Sequence, residues 1–201
     1  MAKVKGVKEK LHMPLYDAFF VQKGMSFQEE MDTGDLQVIR FFVDVENKTK
    51  LETNLQAAGV LPSLNTFEAR AMRVVVSPPL APPNTTQLIP ADFLADLFYN
   101  SVTTLLVGEK IMIELPTFYF PAGAGVSPGN GTVTNHGEPD PLATFRFAEP
   151  VLIEPQQNFR VEMLFPHGVP GQGTPPTKLA GVKGPLRIWV VLDGYLTRAV
   201  Q

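Results

Sequence analysis

The chain of 201 residues contains no cysteine, so it has neither disulfides nor a thiolate metal site, and cysteine usage says nothing of its redox compartment. Histidine is scarce: His12, His136 and His167 are the only three. They form no H-x-H or H-E-x-x-H spacing, which removes the usual sequence support for a metal-dependent enzyme. Charged residues are only 18% of the chain. No run of about 18 apolar residues marks a membrane span, and no apolar run of signal-peptide length follows the N-terminus. The sequence also lacks a Gly-x-Ser-x-Gly elbow, and "GAGVSPGNG" has neither the order of a dinucleotide fingerprint nor the Lys-Ser/Thr of a phosphate loop. Catalytic, cofactor and metal sites are therefore all read as none.

Proline and glycine, by contrast, are plentiful at 19 and 16 residues, alongside 44% hydrophobic residues. That balance excludes a disordered chain and implies many turns and long structured loops. The charge is uneven: residues 1–10 carry four Lys and one Glu, whereas the chain as a whole is at −3. Residues 1–14 read as a basic N-terminal arm, bearing Lys3, Lys5 and Lys8, and residues 15–201 as one domain. Such an arm can meet nucleic-acid phosphates or anionic lipid head groups, although a short Lys-rich terminus is more often a solvated tail.

Alternation at period two dominates the remainder. In "NFRVEMLF", Phe159, Val161, Met163 and Phe165 point one way and Arg160, Glu162 and Leu164 the other. With "VLI" upstream and "EPQQN" between them, the pair reads as a β-hairpin. "PLYDAFFVQKG" is extended, and "LQVIRFFVDV" places Ile39, Phe41, Val43 and Val45 on one face. "TFEARAMRVVV" changes phase near Arg73, where a bulge would re-aim it. "VTTLLVGEKIMIEL" reads as a second hairpin about Gly108, with Ile111, Ile113 and Leu115 inward. The last strand, "LRIWVVLDGYLTRAV", has a bend or bulge at Asp193-Gly194. "SPPLAPPN" must be a surface loop, because proline offers no N–H to a sheet.

One segment has helical spacing. In "PADFLADLFYN", Phe93, Leu94, Leu97 and Phe98 form a stripe, with Pro90 suited to the start, and the stripe reads as a core face in preference to an exposed partner groove. The carboxylates Glu29, Glu30, Asp32 and Asp35 read as a solvated turn, with too few guaranteed oxygens for calcium. Asn47, Asn84 and Asn130 fit a glycosylation pattern too short to carry weight. The expected fold is all-β: an antiparallel, eight-stranded jelly-roll sandwich or barrel with one short helix and long Gly/Pro-rich loops.

Four stretches, "TNLQAAGVLPSLNTFEARAMRVVV", "KIMIELPTFYFPAGAGV", "VLIEPQQNFRVEMLFP" and "LRIWVVLDGYLTRAVQ", together resemble jelly-roll capsid proteins of icosahedral bacteriophages, including membrane-containing ones. The resemblance covers most of residues 36–201 as an order of strands and loops. It implies a structural virion protein, made in the host cytoplasm and located in the capsid, that assembles with copies of itself and with other virion proteins to enclose the genome. It implies no enzymatic activity, no cofactor and no small-molecule substrate, and it leaves room for contact of the basic arm with an internal membrane or nucleic acid. Candidate subunit contacts are Lys3, Lys5, Lys8, Phe118, Tyr119, Phe120 and Trp189. "LRIWVV" is apolar on both faces, so Trp189 and Val191 either meet a neighbour or lie under a covering loop. Two other classes compete: a lectin-like module stacking Tyr119 on a sugar, and a cupin-like enzyme, which requires a bound metal.

Overall fold

The computed structural model describes residues 8–32, 37–77, 91–122, 124–125, 138–139, 142–171 and 179–199. Its strands are β1 (Lys8–His12), β2 (Leu15–Val21), β3 (Val38–Phe41), β4 (Thr66–Ser77), β5 (Val102–Val107), β6 (Lys110–Pro116), β7 (Ala124–Gly125), β8 (Glu138–Pro139), β9 (Phe145–Ile153), β10 (Phe159–Leu164) and β11 (Leu186–Ala199). One sheet runs β1-β11-β4-β9, with β2 also on β11. The other runs β3-β10-β5-β6, and β7 and β8 form a small ribbon. All pairings between these strands are antiparallel, and the two sheets face each other as an open sandwich rather than a closed barrel. Taking β2 with β11, β4 and β9 in one layer and β3 with β10, β5 and β6 in the other gives the eight-strand jelly-roll order. Among these eight strands, only the β5–β6 connection stays within one sheet.

The core lies where the alternating faces meet. Ile188, Val190 and Leu192 of β11 and Phe41, Leu105, Val161 and Met163 of the opposite sheet are all fully buried or nearly so. β10 keeps the expected phase, with Phe159, Val161 and Met163 inward and Leu164 exposed. β11 also follows expectation, and its register against β4 shifts at Asp193/Gly194.

Several sequence expectations are corrected. The segments on either side of "EPQQN" are not a hairpin: β9 bonds to β4, while β10 bonds to β3 and β5 in the other sheet. The turn is a corner between layers, pinned where Gln156 N–H donates to Leu61 O and Phe159 N–H to Gly59 O. Period-two patterning identifies a strand but not its partner. The phase change in β4 falls at Arg70 rather than Arg73, because Ala69 and Ala71 pair with the consecutive residues Gly194 and Asp193. Ile111 points outward and is 54% exposed. Leu105 pairs with Ile113 and Leu106 with Ile111, so the extra residue, Met112, breaks the alternation. Strand β3 ends at Phe41, and Phe42 turns away with φ of 69°, leaving Val43 and Val45 outside it.

Among the described residues there are two short α-helices, where one was expected. Helix α2 (Ala91–Tyr99) is the anticipated one, with Phe93 and Leu97 buried, and its start at Pro90 lies outside the described residues. Helix α1 (Phe27–Asp32) occupies the acidic stretch. Its start is a reciprocal cap: Glu29 N–H donates to Ser26 Oγ at 3.3 Å, and Ser26 N–H donates to Glu29 Oε2 at 2.7 Å. That arrangement holds the Glu29 carboxyl below its ordinary range, chiefly through the Ser26 N–H. Ser26→Ala is expected to cost about 1 kcal/mol in denaturant titration.

Antiparallel pairing brings the connections β2–β3, β4–β5, β6–β9 and β10–β11 to one end of the sandwich. The shorter β5–β6 and β9–β10 turns and the β3–β4 connection lie at the other. α1, α2 and two 3-10 turns, Thr117–Tyr119 and Leu179–Gly181, gather at the first end and pack on one another.

Candidate functional site

The most exposed aromatic surface sits at this helix-bearing end. It is built by buried hydroxyls. Ser101 and Thr103 at the start of β5 meet Thr117, whose Oγ1 lies 2.7 Å from Ser101 Oγ and 2.8 Å from Thr103 Oγ1. Thr117 N–H donates to Ser101 O, Phe120 N–H to Thr117 O and Val74 N–H to Phe120 O. The 3-10 turn is thus bolted to both sheets, with Thr117 and Phe120 inward and the two residues between them outward. Phe118 and Tyr119 are 46% and 48% exposed, and Tyr99 at the end of α2 is 73% exposed. The rings form a continuous run: Tyr99 to Phe118 at 5.6 Å, Phe118 stacked on Tyr119 at 4.9 Å, and Tyr119 edge-on to Phe145 at 6.4 Å. Phe145 in turn meets Phe120 at 5.2 Å.

A groove of about 420 Å³ runs between α2 and this turn, lined by Leu94, Ala95, Phe98, Tyr99, Phe118, Phe120, Pro121 and Ala122. Among the described residues no charged side chain lines it. It offers desolvation and ring stacking rather than acid, base or nucleophile. Leu94 and Phe98, expected wholly in the core, are half-buried and form its wall.

The other candidate residues fall elsewhere. Phe120 is fully buried, with its ring edge-on to Phe145, and is not available to a partner, a correction to its expected role. Trp189 is half-buried on the outward face of its sheet, and its indole Nε1–H donates to Leu51 O at 2.9 Å. The covering-loop alternative therefore applies to Trp189 in part. Lys8 is exposed in β1, which pairs with β11 rather than forming part of a free arm. Lys3, Lys5, His136, Asp35, Asn84 and Asn130 lie outside the described residues, as do "PPLAPPN" and most of the 123–141 and 172–178 stretches. His12 and His167 are exposed and far apart in the chain, and His12 rests on the Tyr195 ring at 5.4 Å. Among the described residues no group of three or more His, Cys, Asp or Glu side chains is placed to hold a metal ion, and no helix is long and apolar enough to cross a membrane. No protein-family model matches the chain, and no curated protein matches its sequence.

A second polar constellation was not singled out in the sequence. Asp17 of β2 is fully buried, accepting from Phe42 N–H at 2.7 Å and from Lys48 Nζ at 2.9 Å with both carboxylate oxygens. Burial pushes its carboxyl above the ordinary range, against the pull of Lys48, Phe42 N–H and Thr53. The signal was present: Asp17 shares the inward phase of Leu15 and Val21, so alternation alone sends a carboxylate between the sheets. Nearby, Glu52 is buried against Arg187 at 3.4 Å and accepts from Thr49 N–H at 2.8 Å. Burial raises its carboxyl, but the Thr49 and Arg187 bonds outweigh this and hold it below the usual range.

Proposed function

We propose that this chain is a structural virion protein, a capsid subunit of an icosahedral bacteriophage that associates with copies of itself to form a shell around the genome. The observation that carries the reading is the aromatic surface of Tyr99, Phe118 and Tyr119, held on a rigid turn at the loop-bearing end of a jelly-roll sandwich. Large exposed rings on a soluble monomer are a liability, while repeated subunit contacts cover them. Aromatic anchors of this kind commonly dominate interface energetics. The charged side chains on the outward faces support the same division of labour. Arg73 with Asp193, Lys10 with Glu68, and Arg160 with Glu162 are paired within the chain, leaving the apolar end as the surface with most to gain from a partner. In this reading Lys3, Lys5 and Lys8 supply charge for a salt-sensitive contact with genome phosphates or anionic lipid.

Replacing Phe118 and Tyr119 together by serine tests the surface. The pair is expected to raise the protein concentration needed for association at least ~10-fold, since truncation of a central aromatic anchor typically costs about 2 kcal/mol or more. Thermal stability should barely move, because both rings are half outside the fold. Association unchanged by the double substitution would assign the contacts elsewhere. The same exposed rings also fit a lectin-like module. Binding of a monomer to a glycan array, lost on Tyr119→Ala, would favour that reading over the shell.

A further inference from the structure

We propose that Asp17 and Lys48 form an acid-released latch that holds the 48–54 segment across the outer face of the β2–β11 layer. The segment is fastened at several points. Trp189 Nε1–H donates to Leu51 O, Arg187 pairs with Glu52, Thr53 Oγ1 donates to Tyr16 O at 3.1 Å, and Asn54 Nδ2 donates to Pro14 O at 2.8 Å. Two of the segment's side chains act on the inward-pointing Asp17 carboxylate: Thr53 through its hydroxyl, and Lys48 as the cation. The Lys48 Nζ bridges both oxygens of a carboxylate that is itself fully buried, while Lys48 keeps 20% of its side chain exposed.

The consequence follows from linkage. A carboxylate between the sheets cannot tolerate loss of its cation, so ionised Asp17 holds Lys48 in place. A protonated carboxyl makes no such demand, and the ammonium gains more by returning to water. Asp17 points inward beneath the Phe42 backbone, so departure of Lys48 leaves the carboxyl covered but without its cation. Its proton affinity is then higher in the open latch than in the closed one, and acid favours the open form. Burial already pushes this carboxyl upward with Lys48 present, so the transition falls above the range of an ordinary aspartate.

The other charges around the latch are Glu52, held by Thr49 and Arg187, and Arg40 of β3, which faces Glu162. Glu30 of α1 with Asp44 and Glu46 line the adjoining cavity of about 630 Å³. Glu52 is shifted the opposite way: its lowered carboxyl keeps the Arg187 contact until pH falls below the ordinary glutamate range.

Trp189 is the only tryptophan of the chain, which gives a direct reporter. The expected result is a shift of indole emission to longer wavelength as the pH falls from about 7 to about 4, with far-ultraviolet circular dichroism unchanged. Asp17→Asn should show the acid-form emission at neutral pH and abolish the titration, whereas Glu52→Gln should retain it. If Asp17→Asn does not fold, hydrogen exchange of the wild-type chain decides: amides of 48–54, corrected for intrinsic rates, should exchange at least ~10-fold faster at the acid end while β10 stays protected. A titration that survives in Asp17→Asn, a shift that appears on raising the pH, or exchange in 48–54 that is independent of pH would each overturn the latch.

Discussion

Gly194→Ala is expected to destabilise the fold by about 3 kcal/mol, a fall in melting temperature of about 6–12 °C for a domain of this size. Gly194 sits at the register shift where β11 passes the bulge of β4, opposite Ala69. A Cβ there would lie 2.1 Å from Glu68 O and 2.9 Å from Phe67 Cζ. Neither neighbour can yield cheaply: Glu68 is held in the ladder by Tyr195, and Phe67 is fully buried. Gly108→Ala is the matched control, because its Cβ meets nothing within 4 Å and only its φ of +60° opposes the side chain. That costs about 1–2 kcal/mol. Urea titration of both variants distinguishes the two mechanisms, and a Gly194→Ala midpoint close to wild type would mean that the bulge lies elsewhere.

Phe27→Ala should be costlier still, at about 3–5 kcal/mol. A six-residue helix has no stability of its own, so α1 exists because its apolar side chains enter the core. Phe27 is fully buried, edge-on to Phe19 of β2 at 5.7 Å and to Phe165 beyond β10 at 6.1 Å. Its ring therefore joins the two layers at the helix-bearing end, and its N–H donates to Val182 O before β11. Truncation opens a cavity between sheets and frees the helix together. Equilibrium denaturation measures the loss. A cost no larger than that of Ser26→Ala would show that the cap, and not the ring, holds α1.

Strand existence was legible because a half-buried strand writes its two faces into the sequence. β10 and β11 carry that record, and the Asp193-Gly194 irregularity was visible as a glycine inside an apolar run. Partner choice was not legible. "VLIEPQQNFRVEMLF" has the same alternation whether the chain folds back on itself or crosses to the other sheet, and hydrogen bonds donated to the carbonyls of Gly59 and Leu61, remote in sequence, pin the corner. Bulges hid Ile111 and misplaced the phase change in β4, since a single extra residue inverts every later side chain. Helix α1 was missed although "SFQE" carries the Ser and Glu of a capping box. Its acidic residues resembled a solvated turn, and Phe27 and Met31, both buried, were the overlooked pair at helical spacing.

At the candidate surface, the sequence offered Phe118, Tyr119 and Phe120 as equals. Only the hydroxyl network under Thr117 separates the buried ring from the exposed two, and it depends on Ser101 and Thr103, contributed by a different strand. Tyr99 joins them through α2, at a distance in sequence that no local pattern records.

Light-scattering mass of the full chain after size exclusion, taken across protein concentration and ionic strength, tests the central claim most directly. A shell subunit predicts discrete oligomers, rings or closed particles whose population grows with concentration. A mass that stays at the 22.1 kDa of one chain under every condition would contradict self-assembly through the aromatic end.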